Sequence, residues 1–342
     1  GAMQVAQRSA SVTGIGAASG YFTLDRWLIA TGSSAGRLTM TQTADGPSGF
    51  ANCLKLDCTT ADTSIAAAEN LVLQQRFEGQ DLQQIKKGTS DAELITFSFY
   101  VKANAAFTFG VELFDADNTR QITKLFDTTT GWVKHELTFP ADTTGAFTDD
   151  NALSLTLGFW IHAGSTFTSG TLNTAAWASS TNANRAAGID SFYSSTDNNF
   201  FITGVQMEIG SQATNFEHRS AGEEMLLCQR YFFIGCSSNN ADTGGMANGS
   251  FRTTSNAQVL QQHPVAMRTN PTTALRASGS VVIHDTNDGN NINVTAIDAV
   301  VNQSVKSTLF GLTLASASGV VGEGCWTYSA TSTPGITFDA EL

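Results

Sequence analysis

The sequence predicts an all-β protein: an antiparallel β-sandwich, a short helix at a junction, and a smaller, mainly β domain. Three observations predict it. Apolar and polar residues alternate through much of the first two hundred positions, the period of a strand with one face buried. The alternating runs are separated by turns rich in Gly, Asn, Asp and Thr, the spacing of antiparallel sandwiches. Near residue 217 the alternation gives way to helical spacing, and a chain of 342 residues is longer than one hydrophobic core usually serves.

Gly1-Ala2-Met3 reads as a protease scar with a cloning-site methionine, and residues 1–16 as scar and N-terminal linker ahead of a sandwich over 17–217. "CLKLDC" (Cys53 to Cys58) reads as a strand whose thiols lie about 17 Å apart on opposite faces, beyond disulfide reach. "LITFSFYVKA" turns Ile95, Phe97, Phe99 and Val101 inward and Tyr100 outward. "FTFGVELF" buries Phe107, Phe109, Val111 and Leu113 and presents Glu112. After a Thr-Thr-Gly turn, "GWVKHELTFP" opens another strand. "LSLTLGFWIHAG" sends Leu153, Leu155, Leu157, Phe159 and Ile161 inward, leaving Thr156, Trp160 and His162 on the other face. "FITGVQMEIG" buries Val205, Met207 and Ile209 and presents Gln206 and Glu208.

Ser165 to Asn199, with Trp177, Arg185, Phe192 and Tyr193 along it, has little periodicity. Loops of this length in compact domains are functional or disordered, and the embedded Trp predicts an ordered excursion over the sandwich. "SAGEEMLLCQRYF" offers Ser220 as N-cap, early Glu residues and helical apolar spacing. It leads into a second domain, 218–342, whose "SVVIHDT", "NINVTAI" and "STLFGLTLA" are strand-like.

Composition excludes several function classes. A net charge of −12, a pI near 4.7 and the lack of a basic stripe argue against nucleic-acid binding, because nothing neutralises a run of phosphates. No apolar run approaches the roughly 18 residues of a membrane span, so a soluble chain without membrane insertion is expected. Only 14% of residues are charged, so Ser, Thr, Asn, Gln and Gly must cover the surface, as in secreted or virion β proteins. Five cysteines, an odd number, argue against a disulfide framework, and Cys53, Cys58, Cys228, Cys236 and Cys325 lack zinc-ligand spacing.

Four blocks carry a family resemblance: "AQRSASVTGIGAASGYFTLDRW" (from Ala6), "ITGVQMEIGSQATNFEHRSAGEEMLLCQRYF" (from Ile202), "HPVAMRTNPT" (from His263) and the closing "FDAEL". Together they resemble the C-terminal portions of bacteriophage tail-fibre and other appendage proteins. The resemblance implies a jelly roll similar to carbohydrate-binding modules, followed by a compact β tip domain, in a homotrimer. It further implies recognition of host cell-surface glycans or polysaccharide, other phage tail proteins as partners, and a place on the virion. Such a protein is made in the host cytoplasm and acts outside the cell. The shared blocks read as framework, so ligand residues are sought in this sequence alone.

A glycan site needs an aromatic face for a sugar ring and planar polar groups for its hydroxyls. Tyr100, Glu112, Trp160, His162, Gln206 and Glu208 lie in the outward phase, and the excursion adds Trp177, Arg185 and Tyr193 as a wall. The alternative is structural, with Trp160 covered by that loop. Trp27 and Trp132 read as sandwich corners, and Trp326 as core or subunit interface. No cofactor is expected apart from a structural calcium ion, which the resemblance also suggests; its candidates are Asp115, Asp117, Asp285 and Asp288. Asx-rich turns explain the same clusters. For an enzyme, Glu112 and Glu208 on one sheet face would be the acid and base of a capsular polysaccharide depolymerase. A non-enzymatic binding protein is the leading expectation, and a purely structural virion decoration is a third.

Overall fold

The computed structural model describes residues 1–235, 247–287, 289–329 and 335–342, so Cys236 and Asp288 lie outside the described residues. It forms two compact units, Gly1–Arg219 together with Leu342, and Ser220–Glu341.

The first unit is a jelly-roll sandwich of two antiparallel sheets. One sheet has the order β1 (Ser11–Ile15), β4 (Arg37–Thr43), β5 (Cys53–Thr60), β13 (Asn199–Ile209), β7 (Ile95–Ala103), β10 (Val133–Phe139). The other runs β12 (Ala178–Ser179), β9 (Arg120–Asp127), β8 (Thr108–Asp115), β11 (Leu153–Ala163), β6 (Asn70–Glu78), β3 (Leu28–Gly32), β2 (Gly20–Tyr21). Alternation places Ile95, Phe97, Phe99 and Val101 of β7 in one core with Phe109, Val111 and Leu113 of β8 and Leu155, Leu157, Phe159 and Ile161 of β11; each is at most 2% exposed. Phe99 packs edge-on to Phe126 and Phe159, with centroids 5.2 and 5.1 Å away. Burying each such side chain contributes about 1.5–3 kcal/mol.

Two sequence expectations are corrected. Residues 1–16 are part of the sandwich, because Met3 and Ile15 are each 3% exposed in its core and Val12 of β1 pairs with Met40 of β4. Ile209 pairs with Ile95 in the inward phase but ends its strand at the sandwich rim, where it is 42% exposed.

The excursion after β11 is ordered. It contains a single helical turn, α1 (Ser165–Thr168), the edge strand β12, and 3-10 turns at Asn182–Asn184 and Phe192–Ser194. Thr123 of β9 ties it down by donating from its amide to Asn173 O at 3.0 Å and from its hydroxyl to Arg185 O at 3.1 Å. Asp190 N donates to Thr108 O at 2.8 Å.

The second unit opens with α2 (Ala221–Gln229), started by a capping box: Ser220 Oγ accepts from Glu223 N, and the Glu223 carboxylate accepts from Ser220 N at 3.0 Å. A three-stranded sheet, β14 (Phe232–Gly235), β22 (Ile336–Asp339), β17 (Thr272–Leu275), packs with a closed barrel. The barrel order is β15 (Asn248–Thr253), β16 (Asn256–Gln262), β20 (Ser307–Leu314), β19 (Asn291–Gln303), β18 (Val281–Asp285), β21 (Gly324–Ser329). Closure removes the exposed edges that open sheets carry. Phe251, Val259, Ile283, Phe310 and Leu312 fill the inside.

Candidate functional site

The excursion covers the outward face of the seven-stranded sheet over much of β8, β9 and β11. Trp160 is 2% exposed, and its Nε1 donates to Glu112 Oε2 at 2.9 Å. Arg185, from the excursion, forks onto the same carboxylate, Nε to Oε1 at 2.8 Å and Nη2 to Oε2 at 2.7 Å. Its guanidinium lies 4.9 Å from the centroids of both Trp160 and Phe114. A partly buried, bidentate arginine stacked on an indole is a strong clamp for a loop. His162 is fully buried between Ser191 Oγ at 2.8 Å and Glu69 Oε2 at 3.3 Å. Burial pushes its imidazole below the ordinary value, outweighing the opposing pull of Glu69 and Asp62. Tyr193, also fully buried, packs on His162 at 5.1 Å, and burial drives its phenol far upward. Trp177, 8% exposed, donates Nε1 to Pro140 O at 2.9 Å. Trp160, His162, Trp177, Arg185, Tyr193 and Glu112 therefore form the fastening of the excursion. The exposed groove expected on this face is not there, because Val72, Trp160 and Ala186 form an apolar patch that the excursion buries.

At Asp115 the cation is a lysine. Lys87 Nζ reaches Asp115 Oδ2 at 2.5 Å and Asp142 Oδ2 at 3.1 Å, and donates to Thr144 O at 2.9 Å and Gly145 O at 2.8 Å. Four oxygens thus surround an ammonium where calcium was expected, so Asp115 does not fit a resident calcium ion. Asp117 accepts from Thr148 N at 3.0 Å, closing a turn. Asp285 is fully buried and accepts from Asn287 N at 2.9 Å. Among the described residues, no group of three or more His, Cys, Asp or Glu is placed to hold a metal. Glu112 and Glu208 lie on different sheets, so they do not form the acid and base pair considered from sequence.

The outward face of the six-stranded sheet is partly open, and three sequence candidates, Tyr100, Gln206 and Glu208, stand half-buried on it above buried Thr96, Ser98 and Thr203. Pairing across β10, β7 and β13 builds it in rows. Lys102 sits beside Phe201; Lys134 beside Tyr100 and Thr203; Glu136 beside Ser98 and Gln206; Thr138 beside Thr96 and Glu208. A bulge between Thr203 and Gln206 holds Gly204 at φ +61°, and a Cβ there would come within 2.8 Å of the Phe50 ring. That close approach lets Phe50 pack on Tyr100, Phe216 and His218 with centroids 5.3, 5.0 and 5.1 Å away. At the other end Lys102 Nζ lies over Phe201 at 4.5 Å and over Trp132 at 5.3 Å.

The polar end is held in place by the exit segment. Glu208 Oε1 accepts from Thr214 Oγ1 at 2.6 Å, and Gln206 Oε1 accepts from Glu217 N at 2.7 Å. Burial would raise the Glu208 carboxyl, but the hydrogen bonds from Thr214 and Gln206 outweigh it and hold the group below the ordinary carboxylate range. A pocket of about 280 Å³ lies at the end of the sandwich, between β13 with its exit segment and Gln75 and Phe77 of β6 in the other sheet, rather than on the outward face itself. Aromatic faces adjoining fixed amide and carboxylate groups can take both sides of a pyranose. Sequence reasoning missed Phe50, Trp132, Phe201, Lys134 and Glu136. Two consecutive phenylalanines, Phe200 and Phe201, conceal which one faces out, and Phe50 lies in a turn where no period applies.

No protein-family model matches the chain, and no curated protein is similar to it in sequence. Among solved structures it is similar to a family 4 carbohydrate-binding module, at 11% identity over 54% of this chain and 87% of that one, TM-score 0.30. It is similar to the family 11 carbohydrate-binding module of the Clostridium thermocellum cellulase Lic26A-Cel5E, at 11% identity over 61% and 100%, TM-score 0.30. It is also similar to the enzymatically active domain of bacteriophage CBA120 tailspike protein 4, at 10% identity over 54% and 19%, TM-score 0.31. With likeness this distant, what the partly open face binds is argued from its own residues.

Proposed function

We propose that the first unit recognises a host cell-surface glycan on the outward face of its six-stranded sheet, without cleaving it, as the receptor-binding part of a bacteriophage tail appendage. The observation that carries the reading is the juxtaposition on that partly open face of the Phe50–Tyr100–Phe216–His218 aromatic cluster with Lys134, Glu136, Gln206 and Glu208. The four resemblance blocks support the appendage assignment, and a homotrimer would raise weak single-site affinity through multivalency.

The test is binding of the full chain to a glycan array and to host cells. Tyr100→Ala is expected to lower glycan binding by about tenfold, the loss of one good aromatic contact, with the thermal midpoint nearly unchanged. Unchanged binding by Tyr100→Ala would refute the placement of the site. New reducing ends released from host polysaccharide would refute the non-enzymatic reading.

A further inference from the structure

The barrel carries an outward aromatic platform that its own packing does not use. Along β21, Cys325, Thr327 and Ser329 face the interior, at 4%, 0% and 2% exposure, so Trp326 and Tyr328 face outward. Pairing lines up one row across four strands: Asn248 of β15, Trp326, His284 of β18 and Asn291 of β19. The next row is Tyr328, Val282 and Asn293. The Trp326 ring lies 4.9 Å from His284 and 5.4 Å from Tyr328, tilted 45° to each. All three rings are half-buried, and Asn248, Asn291 and Asn293 are exposed around them. His284 Nδ1 donates to Asn291 Oδ1 at 2.8 Å, which fixes the imidazole beside the indole. Below Trp326 the neighbouring outward position is Gly324, opposite Ser250, which leaves a step at the platform edge. No hydrogen bond within the described residues engages Trp326 Nε1 or Tyr328 Oη.

We propose that this platform is a second, independent carbohydrate-binding site, selective for neutral sugars. Stacking takes the apolar face of a pyranose, and the asparagine amides, each both donor and acceptor, take its hydroxyls. The charge pattern selects the occupant. In a chain of net charge −12, these rows contain no carboxylate, ammonium or guanidinium group. They therefore offer no counter-charge to a sialate, a uronate or a basic peptide, and nothing to repel a neutral hexose. The site does not rest on the sandwich reading, and its variants lie in the other unit.

The decisive comparison uses the full chain on an array printed with neutral hexose and N-acetylhexosamine oligosaccharides beside sialylated and uronate-containing ones. In a Tyr100→Ala background, which weakens the proposed sandwich face by about tenfold, neutral glycans should still bind. Adding Trp326→Ala should lower that signal by about tenfold, whereas Trp326→Phe should stay within about threefold. Circular dichroism melts show that each protein is folded. The proposal is overturned if the Tyr100→Ala protein binds no neutral glycan, if Trp326→Ala leaves its signal unchanged, or if Trp326→Phe loses as much as Trp326→Ala. Binding confined to acidic glycans also overturns it. So does a change in subunit number with Trp326→Ala by light scattering, which would make the face a contact between copies.

Discussion

Replacing Lys87 with methionine removes one ammonium while leaving the length of the side chain almost unchanged. Lys87 is 4% exposed, and its Nζ is enclosed by Asp115 Oδ2, Asp142 Oδ2, Thr144 O and Gly145 O. The rings of Phe147 and Trp177 flank it at 5.2 and 5.5 Å. Without it, Asp142 keeps the forked Arg120 at 2.7 and 3.0 Å, whereas Asp115, fully buried, keeps only donors from Asn118. Removing one partner of a buried ion pair costs about 3–5 kcal/mol, because the remaining charge is left desolvated. For a unit of this size each kcal/mol moves the midpoint by about 2–4 °C, so the first unit should melt roughly 6–20 °C lower. Thermal unfolding at pH 7 followed by near-ultraviolet circular dichroism measures it. A drop of less than about 3 °C would refute the reasoning, showing that the carboxylates find water or other partners without the lysine. Lys87→Ala supplies a second reading: it opens space inside the oxygen cage, so millimolar calcium should raise the midpoint of this variant and leave the parent unchanged. Below neutral pH the same cluster sets the acid limit. Burial raises the Asp142 carboxyl, but Arg120 and Lys87 outweigh it and hold the group below the ordinary range. Its contribution is complete above about pH 4 and is lost as pH falls through the folded value.

Two further outcomes follow from the excursion, beside those stated for Tyr100 and Trp326. Arg185→Ala leaves the buried Glu112 with the Trp160 N–H, and should cost about 3 kcal/mol and speed amide hydrogen exchange across residues 165–199; Glu112→Gln in the same chain should restore part of the loss. His162, held neutral by burial, makes the unfolded state the better proton acceptor once pH drops below about 6.5, so stability should decline from there toward the depressed folded value. His162→Gln should flatten that decline in urea titrations between pH 7 and 5, and an unaltered slope would count against the assignment.

Much of the sandwich is legible in the sequence because a strand with one buried face repeats every two residues. β7, β8 and β11 show that repeat clearly, and their inward residues are the core. The N-terminal stretch is not legible in this way: Met3 and Ile15 are buried one at a time in the sandwich core, without a local period. The candidate site was half legible. Alternation assigned Trp160, His162 and Glu112 to the outward phase, and the sheet places them there. Period alone does not say whether an outward face meets water or another layer of chain. Gln206, Glu208 and Tyr100 share the same phase with them and stand on the face that remained partly open.

By itself, the sequence determined which residues alternate, where the alternation stops, and that Ser220 with Glu223 begins a helix, because these depend on neighbours within a few positions. Only the tertiary structure decided which sheet face is covered, that Lys87 fills the oxygen cage at Asp115, and that Trp326, His284 and Asn291 share one row. The contacts behind them include Lys87 with Asp115, Glu112 with Arg185 and Trp326 with His284, 28, 73 and 42 positions apart, and only the folded pairing of strands and loops brings such groups together.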